Sequence, residues 1–219
     1  MSVFTRIRWD IRGSTIVEFT LVFPVFALVA FGTVDAGYAI FDFARASHAA
    51  YVGAHRAVVS DPVAKEIATL TWPPASLGNQ CADPTTGANS ACPSQTVTCA
   101  YTNNAWSCSQ GFTFQQAPLD DIASVMQTVF RCTSDASCPL KKTNIQVTYQ
   151  TNGLGFVGQP SGSSVDVTVS VRCMVHTLYF LGALMNWTFS PAAGCAGPVN
   201  GWPVPTYATT LTSEDMVTN

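Results

Sequence analysis

"RGSTIVEFTLVFPVF" (Arg12–Phe26) decides how the rest of the chain is read. It opens with a cation and a glycine, then runs apolar, with one carboxylate, Glu18, five positions after Gly13. From Ser14 to Val34, Glu18 is the only charged residue. As a helix that stretch would rise about 31 Å, close to the hydrocarbon thickness of a bilayer. A charged side chain at the bilayer centre costs roughly 2.5–3.5 kcal/mol on insertion scales. The stretch is therefore predicted to cross a membrane while carrying a charge that needs a reason.

The flanks give the orientation. Arg6, Arg8 and Arg12 precede the apolar run, and no Lys or Arg follows until Arg45. The positive-inside rule then puts residues 1–13 in the cytoplasm and the remainder outside. All eight cysteines (Cys81, Cys92, Cys99, Cys108, Cys132, Cys138, Cys173 and Cys195) lie on the exported side. An even count in a Gly/Pro/Asn-rich setting reads as disulfides in an oxidising compartment. The tightest spacing, Cys132 to Cys138, is wider than the close pairs of zinc sites, so metal is the weaker reading. Only 11% of residues are charged and 47% are hydrophobic, against about a quarter charged in soluble domains. A net charge of −3, with no basic run beyond the three arginines, argues against a nucleic-acid partner.

Two plainer readings of the N-terminus compete. A cleaved secretory signal has an apolar core of about 7–15 residues and a small-residue cleavage site. Here the run is longer, and the best such site, Val34-Asp35-Ala36, contains an acid. An uncleaved anchor fits the length. Neither accounts for Glu18.

The helical pattern continues beyond the membrane. "VDAGYAIFDFARASHAAYVGAHRAVVSDP" (Val34–Pro62) is alanine-rich and has no proline before Pro62. One helix is predicted over 14–60, about 70 Å long, with 14–36 in lipid and the rest projecting. Pro24 removes a backbone hydrogen bond and is expected to bend the membrane half. Asp42 and Arg45, three apart, are expected to pair on one face. His48 and His55 are seven apart, not the i, i+4 of a zinc-binding helix, and read as polar contacts on the helix face.

A short basic leader ending in Gly13, followed by "STIVEFTLVFPVF" with Glu18-Phe19 five positions on, resembles the type IV pilins. More narrowly, "VEFTLVFPVFALVAFGTVDAGYAIF" resembles the TadE-like family of the tight-adherence (Flp-type) pilus machinery, on Glu18, Phe23-Pro24-Val25 and Asp35-Ala36-Gly37. The end of the chain, "YATTLTSEDM" with Glu214, resembles that family's closing strand. The resemblance is specific over about 12–58. It implies cutting between Gly13 and Ser14 by a membrane prepilin peptidase. It also implies that Glu18 then neutralises the new amine of a neighbouring subunit. Asp35 departs from the glutamate more usual there, which leaves the role of that acid open. A head of this size implies a minor pilin or pseudopilin rather than the short major pilin. The implied partners are other pilins, the peptidase, the inner-membrane assembly platform and lipid. The implied location is the inner membrane, with the head in the periplasm, or the fibre after assembly.

The head, residues 61–219, reads as α+β: an antiparallel sheet of four or five strands with one or two helices. Residues 61–94 read as a loop pinned by Cys81 and Cys92. "TVTCAYTNNAWSCSQGFTF" reads as a hairpin turning at Asn103-Asn104, with Trp106, Cys108, Phe112 and Phe114 on one face of its second strand. With those two asparagines as the turn, Tyr101 faces Trp106 and Cys99 faces Cys108, at a separation a disulfide accepts. The weaker pairings are the neighbours 81–92, 132–138 and 173–195.

"PLDDIASVMQTVFRC" is predicted as an amphipathic helix. Asp120 and Asp121 start it, and Ile122, Val125, Met126, Val129 and Phe130 face the core. "NIQVTYQ" alternates, and "SVDVTVSVRCMVH" alternates through Cys173 and Val175 inward, with Arg172 and Met174 outward. The intervening "TNGLGFVGQPSGSS" has no lysine and no helix after it, so it reads as a hairpin connection rather than a phosphate loop. "TLYFLGALMNWTF" (177–189) is too short to span a bilayer. It reads first as a core helix and second as a surface apolar patch touching membrane or a neighbouring subunit. A last strand is predicted near 206–213.

No catalytic constellation, cofactor motif or metal set is legible. The reading is a non-enzymatic pilus subunit. The alternative is a membrane-anchored periplasmic binding module or enzyme that the N-terminus merely tethers.

Overall fold

The first helix, α1, runs unbroken from Ile11 to Val59, through Pro24. The structure, a computed structural model, describes residues 11–69, 80, 95–151, 165–180, 182, 188–189, 195 and 199–213. Along α1 the surroundings change at Asp35. No residue from Ile16 to Val34 is buried. Beyond it Asp35, Ala39, Ala46, Ala49, Ala50, Gly53, Ala54 and Ala57 are buried, at the three-to-four spacing of one helix face. Small side chains on that face let the head close directly onto the helix backbone. A Cβ built on Gly53 would lie 2.6 Å from Met126 Sδ and 3.2 Å from Val169 Cγ1.

The head is an α+β fold around a five-stranded antiparallel sheet, in the order β2-β1-β3-β4-β9. Its strands are β1 (Thr96–Thr102), β2 (Ala105–Cys108), β3 (Ile145–Thr151), β4 (Val165–Val171) and β9 (Tyr207–Ser213). The short strands between are β5 (Val175–His176), β6 (Thr188–Phe189), β7 (Val199–Asn200) and β8 (Trp202–Pro203), pairing β5 with β8 and β6 with β7. Val97, Val147, Tyr149, Val167 and Val169 belong to the buried core with the alanines of α1. The other face is polar. Thr98, Thr148, Thr168 and Thr210 stand opposite one another across four neighbouring strands, with hydroxyl contacts at 3.2 Å (98–148) and 2.7 Å (168–210).

The hairpin has the register expected from its turn. Asn103 and Asn104 both take positive φ, at 52° and 61°, as a type I′ turn requires. Cys99 then faces Cys108 and Tyr101 faces Trp106. β2 ends at Cys108, so Phe112 and Phe114 are not part of that strand. Phe114 still reaches the same cluster, stacked on Trp106 at 5.1 Å.

Five expectations need correcting. The second helix, α2, spans Gln116–Val129, so Asp120 and Asp121 lie past its first turn. Pro118 fits the first turn, where its missing N–H has no partner to lose. Asp120 pairs with Lys142 at 2.8 Å and Asp121 with Arg56 at 2.5 Å. The buried stripe of α2 is also rotated: Leu119, Ile122, Ala123, Met126 and Gln127 face inward, while Val125 and Val129 are half-buried. Gln127 is satisfied there by donating to Asp135 Oδ1 and to the Leu140 carbonyl.

Next, β4 stops at Val171. Cys173 takes φ +56°, which breaks the alternation and turns Met174 inward and Val175 half out. The 61–94 stretch is partly ordered by a 3-10 turn at Lys65–Thr69, with Val63, Ala64 and Ile67 buried. Finally, residues 177–180 are not helical, and Tyr179 and Phe180 face outward. Leu178 just before them is buried, and residues 181 and 183–187 of the 177–189 stretch lie outside the described residues. The connection at 152–164, Cys81, Cys92 and Glu214 lie outside the described residues.

Candidate functional site

Gly13 and Ser14 lie within the first turns of α1, whose backbone runs across the expected cleavage point. Glu18 follows on the exposed surface of the helix, among Ile16, Val17, Phe19 and Leu21. Phe19 and Phe23, one turn apart, stack at 5.3 Å beside it. The exposed window of α1 is long and apolar enough for a single membrane span, and none of it is covered by the head.

The second acid of α1 behaves differently. Asp35 is 1% exposed. Its carboxylate accepts the backbone N–H of Tyr179 at 3.1 Å and that of Phe180 at 3.1–3.3 Å. Two turns further along, Asp42 Oδ2 lies 2.6 Å from Nδ1 of His176, whose side chain is 1% exposed. The expected Asp42–Arg45 pair is replaced by this contact, and Arg45 instead lies over the ring of Phe41 at 4.1 Å. The two acids are seven apart, so they share a helix face. Both grip the segment 176–180. That spacing is the signal in the sequence. Their partners lie more than 130 residues away, which no local pattern reveals.

An Asp–His pair invites a catalytic reading. His176 Nε2, however, is buried and has no hydrogen-bond partner among the described residues. Among the described residues no hydroxyl or thiol hydrogen-bonds to it as a nucleophile would. His48 and His55 are exposed, with His55 edge-on to Tyr51 at 4.5 Å. Among the described residues no cluster of His, Cys, Asp and Glu could hold a metal ion.

Among the described residues three disulfides hold the head: Cys99–Cys108 with Cα atoms 4.0 Å apart, Cys132–Cys138 at 5.3 Å and Cys173–Cys195 at 5.4 Å. The last ties the positive-φ turn after β4, just before His176, to Cys195 further along the chain. Elsewhere the electrostatics are those of a packed scaffold. Glu66 accepts from the Thr113 hydroxyl and amide, which holds its carboxyl below the usual range. Burial pushes Asp120 up, but hydrogen bonds from Lys142 and Gln116 outweigh it and leave the carboxyl lowered. Burial raises the Tyr149 phenol, whose oxygen accepts from the Val63 amide at 2.8 Å.

Residues 13–55 match the model of the TadE-like protein family. The TadE-like segment therefore begins at the expected cleavage glycine, contains Glu18, Pro24, Asp35 and Asp42, and ends in the part of α1 packed on the head. The match points to a protein associated with the tight-adherence pilus. No curated protein and no solved structure matches the chain.

Proposed function

We propose that the protein is a minor pilin or pseudopilin of a tight-adherence pilus. In this reading a prepilin peptidase removes residues 1–13. The head stands in the periplasm on the inner membrane, and the subunit then enters pilus assembly or adhesion with other pilins on the assembly platform. The work is structural, not enzymatic. One observation carries the reading: the TadE-like match covers a helix on which Glu18 stands exposed inside an apolar, uncovered window, five positions after Gly13. In lipid such a carboxylate is unfavourable. Beside a neighbour's new N-terminal amine, in a dry subunit core, the same charge becomes attractive.

The test is Glu18→Ala. Insertion and cleavage should persist, because removing a charge eases insertion. Co-purification with partner pilins, and incorporation into pili, should drop. Normal incorporation of this variant would refute the charge-pair role.

A further inference from the structure

Four rings stand where α1 leaves its apolar window. Phe180 stacks on Phe31 with centroids 4.9 Å apart, and Tyr179 meets Tyr38 edge-on at 5.7 Å. Asp35 sits between Phe31 and Tyr38 in sequence and holds Tyr179 and Phe180 by their amides. The rings nevertheless stay open: Phe31 44%, Tyr38 53%, Tyr179 64% and Phe180 40% exposed. A head that used these rings as core would hide them. Here a buried carboxylate pins them facing outward.

We propose that these four rings form an aromatic foot that seats the head in the interfacial zone of the phospholipid bilayer. Asp35 sets its depth against α1. The patch is continuous with the uncovered apolar surface that α1 presents from Ile16 to Val34, so the solvent that covers one reaches the other. Its chemistry is also ordered along the helix. The two phenylalanines lie on the membrane side and the two tyrosines on the head side. A bilayer interface favours that order, with apolar rings deeper and hydroxyl-bearing rings at headgroup level. From Phe31 to Tyr38 the helix rises about 10 Å, enough to run from the acyl boundary into the headgroups. A bare carboxylate at that depth would be costly, and the two amides supply hydrogen bonds that offset it. The inference rests on α1 spanning a membrane and is independent of pilus assembly.

The full chain, reconstituted in vesicles of phosphatidylethanolamine and phosphatidylglycerol, tests it. A photoreactive phenylalanine analogue is placed at position 179 or 180. Position 21 serves as the in-membrane control. Position 51, exposed and about 24 Å further along α1 than Asp35, serves as the distant control. Positions 179 and 180 should give chain–phospholipid adducts, as position 21 does, and position 51 should give none. Asp35→Ala should cut the adduct at 180 several-fold and leave that at 21 unchanged. If that variant loses the Cys99–Cys108 bond, Phe31→Ala replaces it, with the same fall expected. Adducts at 179 and 180 no more frequent than at 51 would overturn the proposal. So would chain–chain adducts alone, which would assign the foot to a second copy. Absence of adducts at 21 as well would overturn the membrane span beneath it.

Discussion

The two halves of α1 are one helix in two environments. From Ile16 to Val34 its side chains are large, apolar and uncovered, with Phe19, Leu21, Phe23, Phe26 and Phe31 all exposed. From Asp35 to Val59 the inward face is alanine and glycine, and it is buried completely from Ala46 to Ala57. Apolar content therefore does not distinguish a lipid-facing segment from a core-facing one. Side-chain size and one-sidedness do. A helix wrapped by lipid gains from bulk all round, since no protein neighbour limits volume. A helix that must accept a sheet and a second helix needs short side chains where they meet. The acids divide along the same line: Glu18 is exposed on the uncovered half, while Asp35 and Asp42 each hold a partner from the 176–180 segment.

Two glycines of the head-side half, Gly53 on its buried face and Gly37 on its exposed face, should break the comparison if it is wrong. Gly53→Leu would drive its side chain into Met126 and Val169, both fully buried and without room to swing aside. A loss of about 3 kcal/mol, the upper part of the usual overpacking range, is expected in denaturant unfolding of the full chain in detergent. Gly37→Leu meets nothing within 4 Å and should leave unfolding unchanged. Equal losses at both positions would contradict the division.

A smaller effect is expected where the chain leaves α1. Tyr149→Phe removes the acceptor of the buried Val63 amide. Leaving that group unsatisfied should cost about 1–3 kcal/mol. The same site has an alkaline signature. Burial raises the folded-state phenol, so the contribution is complete below the ordinary tyrosine value of about 10 and is lost as pH rises through the higher folded value. Wild type should lose stability in strong alkali with a steeper slope than Tyr149→Phe. Identical slopes would exclude Tyr149 as the titrating group.

The smallest effect is on the acid side. Glu66 and Asp120 are held below the usual carboxylate range. Their contribution is present above about pH 4 and is lost as pH falls through the folded values. Both groups are solvent-exposed or nearly so, and the change should be slight and confined to the head. Circular dichroism on acidification should register loosening of the sheet while the apolar helix persists. Loss of helix ahead of sheet would count against the assignment.

Local rules made part of this fold legible. Asn103-Asn104 gave away a turn that needs positive φ twice, and with it the partner of Cys99. The sequence alternation of β3 and of β4 marked two buried strands. Where the reading slipped, one residue acted against its pattern. Cys173 adopts a left-handed backbone, so the alternation written in the sequence no longer matches the faces beyond it. The acids Asp120 and Asp121 look like a helix start, but the helix begins at Gln116 with Pro118 in its first turn. The grip on residues 176–180 was hidden for another reason. Asp42 had a cation three residues away, and only the closed fold brings His176 closer.

N-terminal sequencing of the protein made together with its prepilin peptidase tests the central claim most directly. The account predicts a mature chain that begins at Ser14 and reads Ser-Thr-Ile-Val-Glu, with Glu18 at its fifth residue. A chain that keeps Met1 through Gly13 in the presence of active peptidase would contradict it and leave a simple membrane anchor.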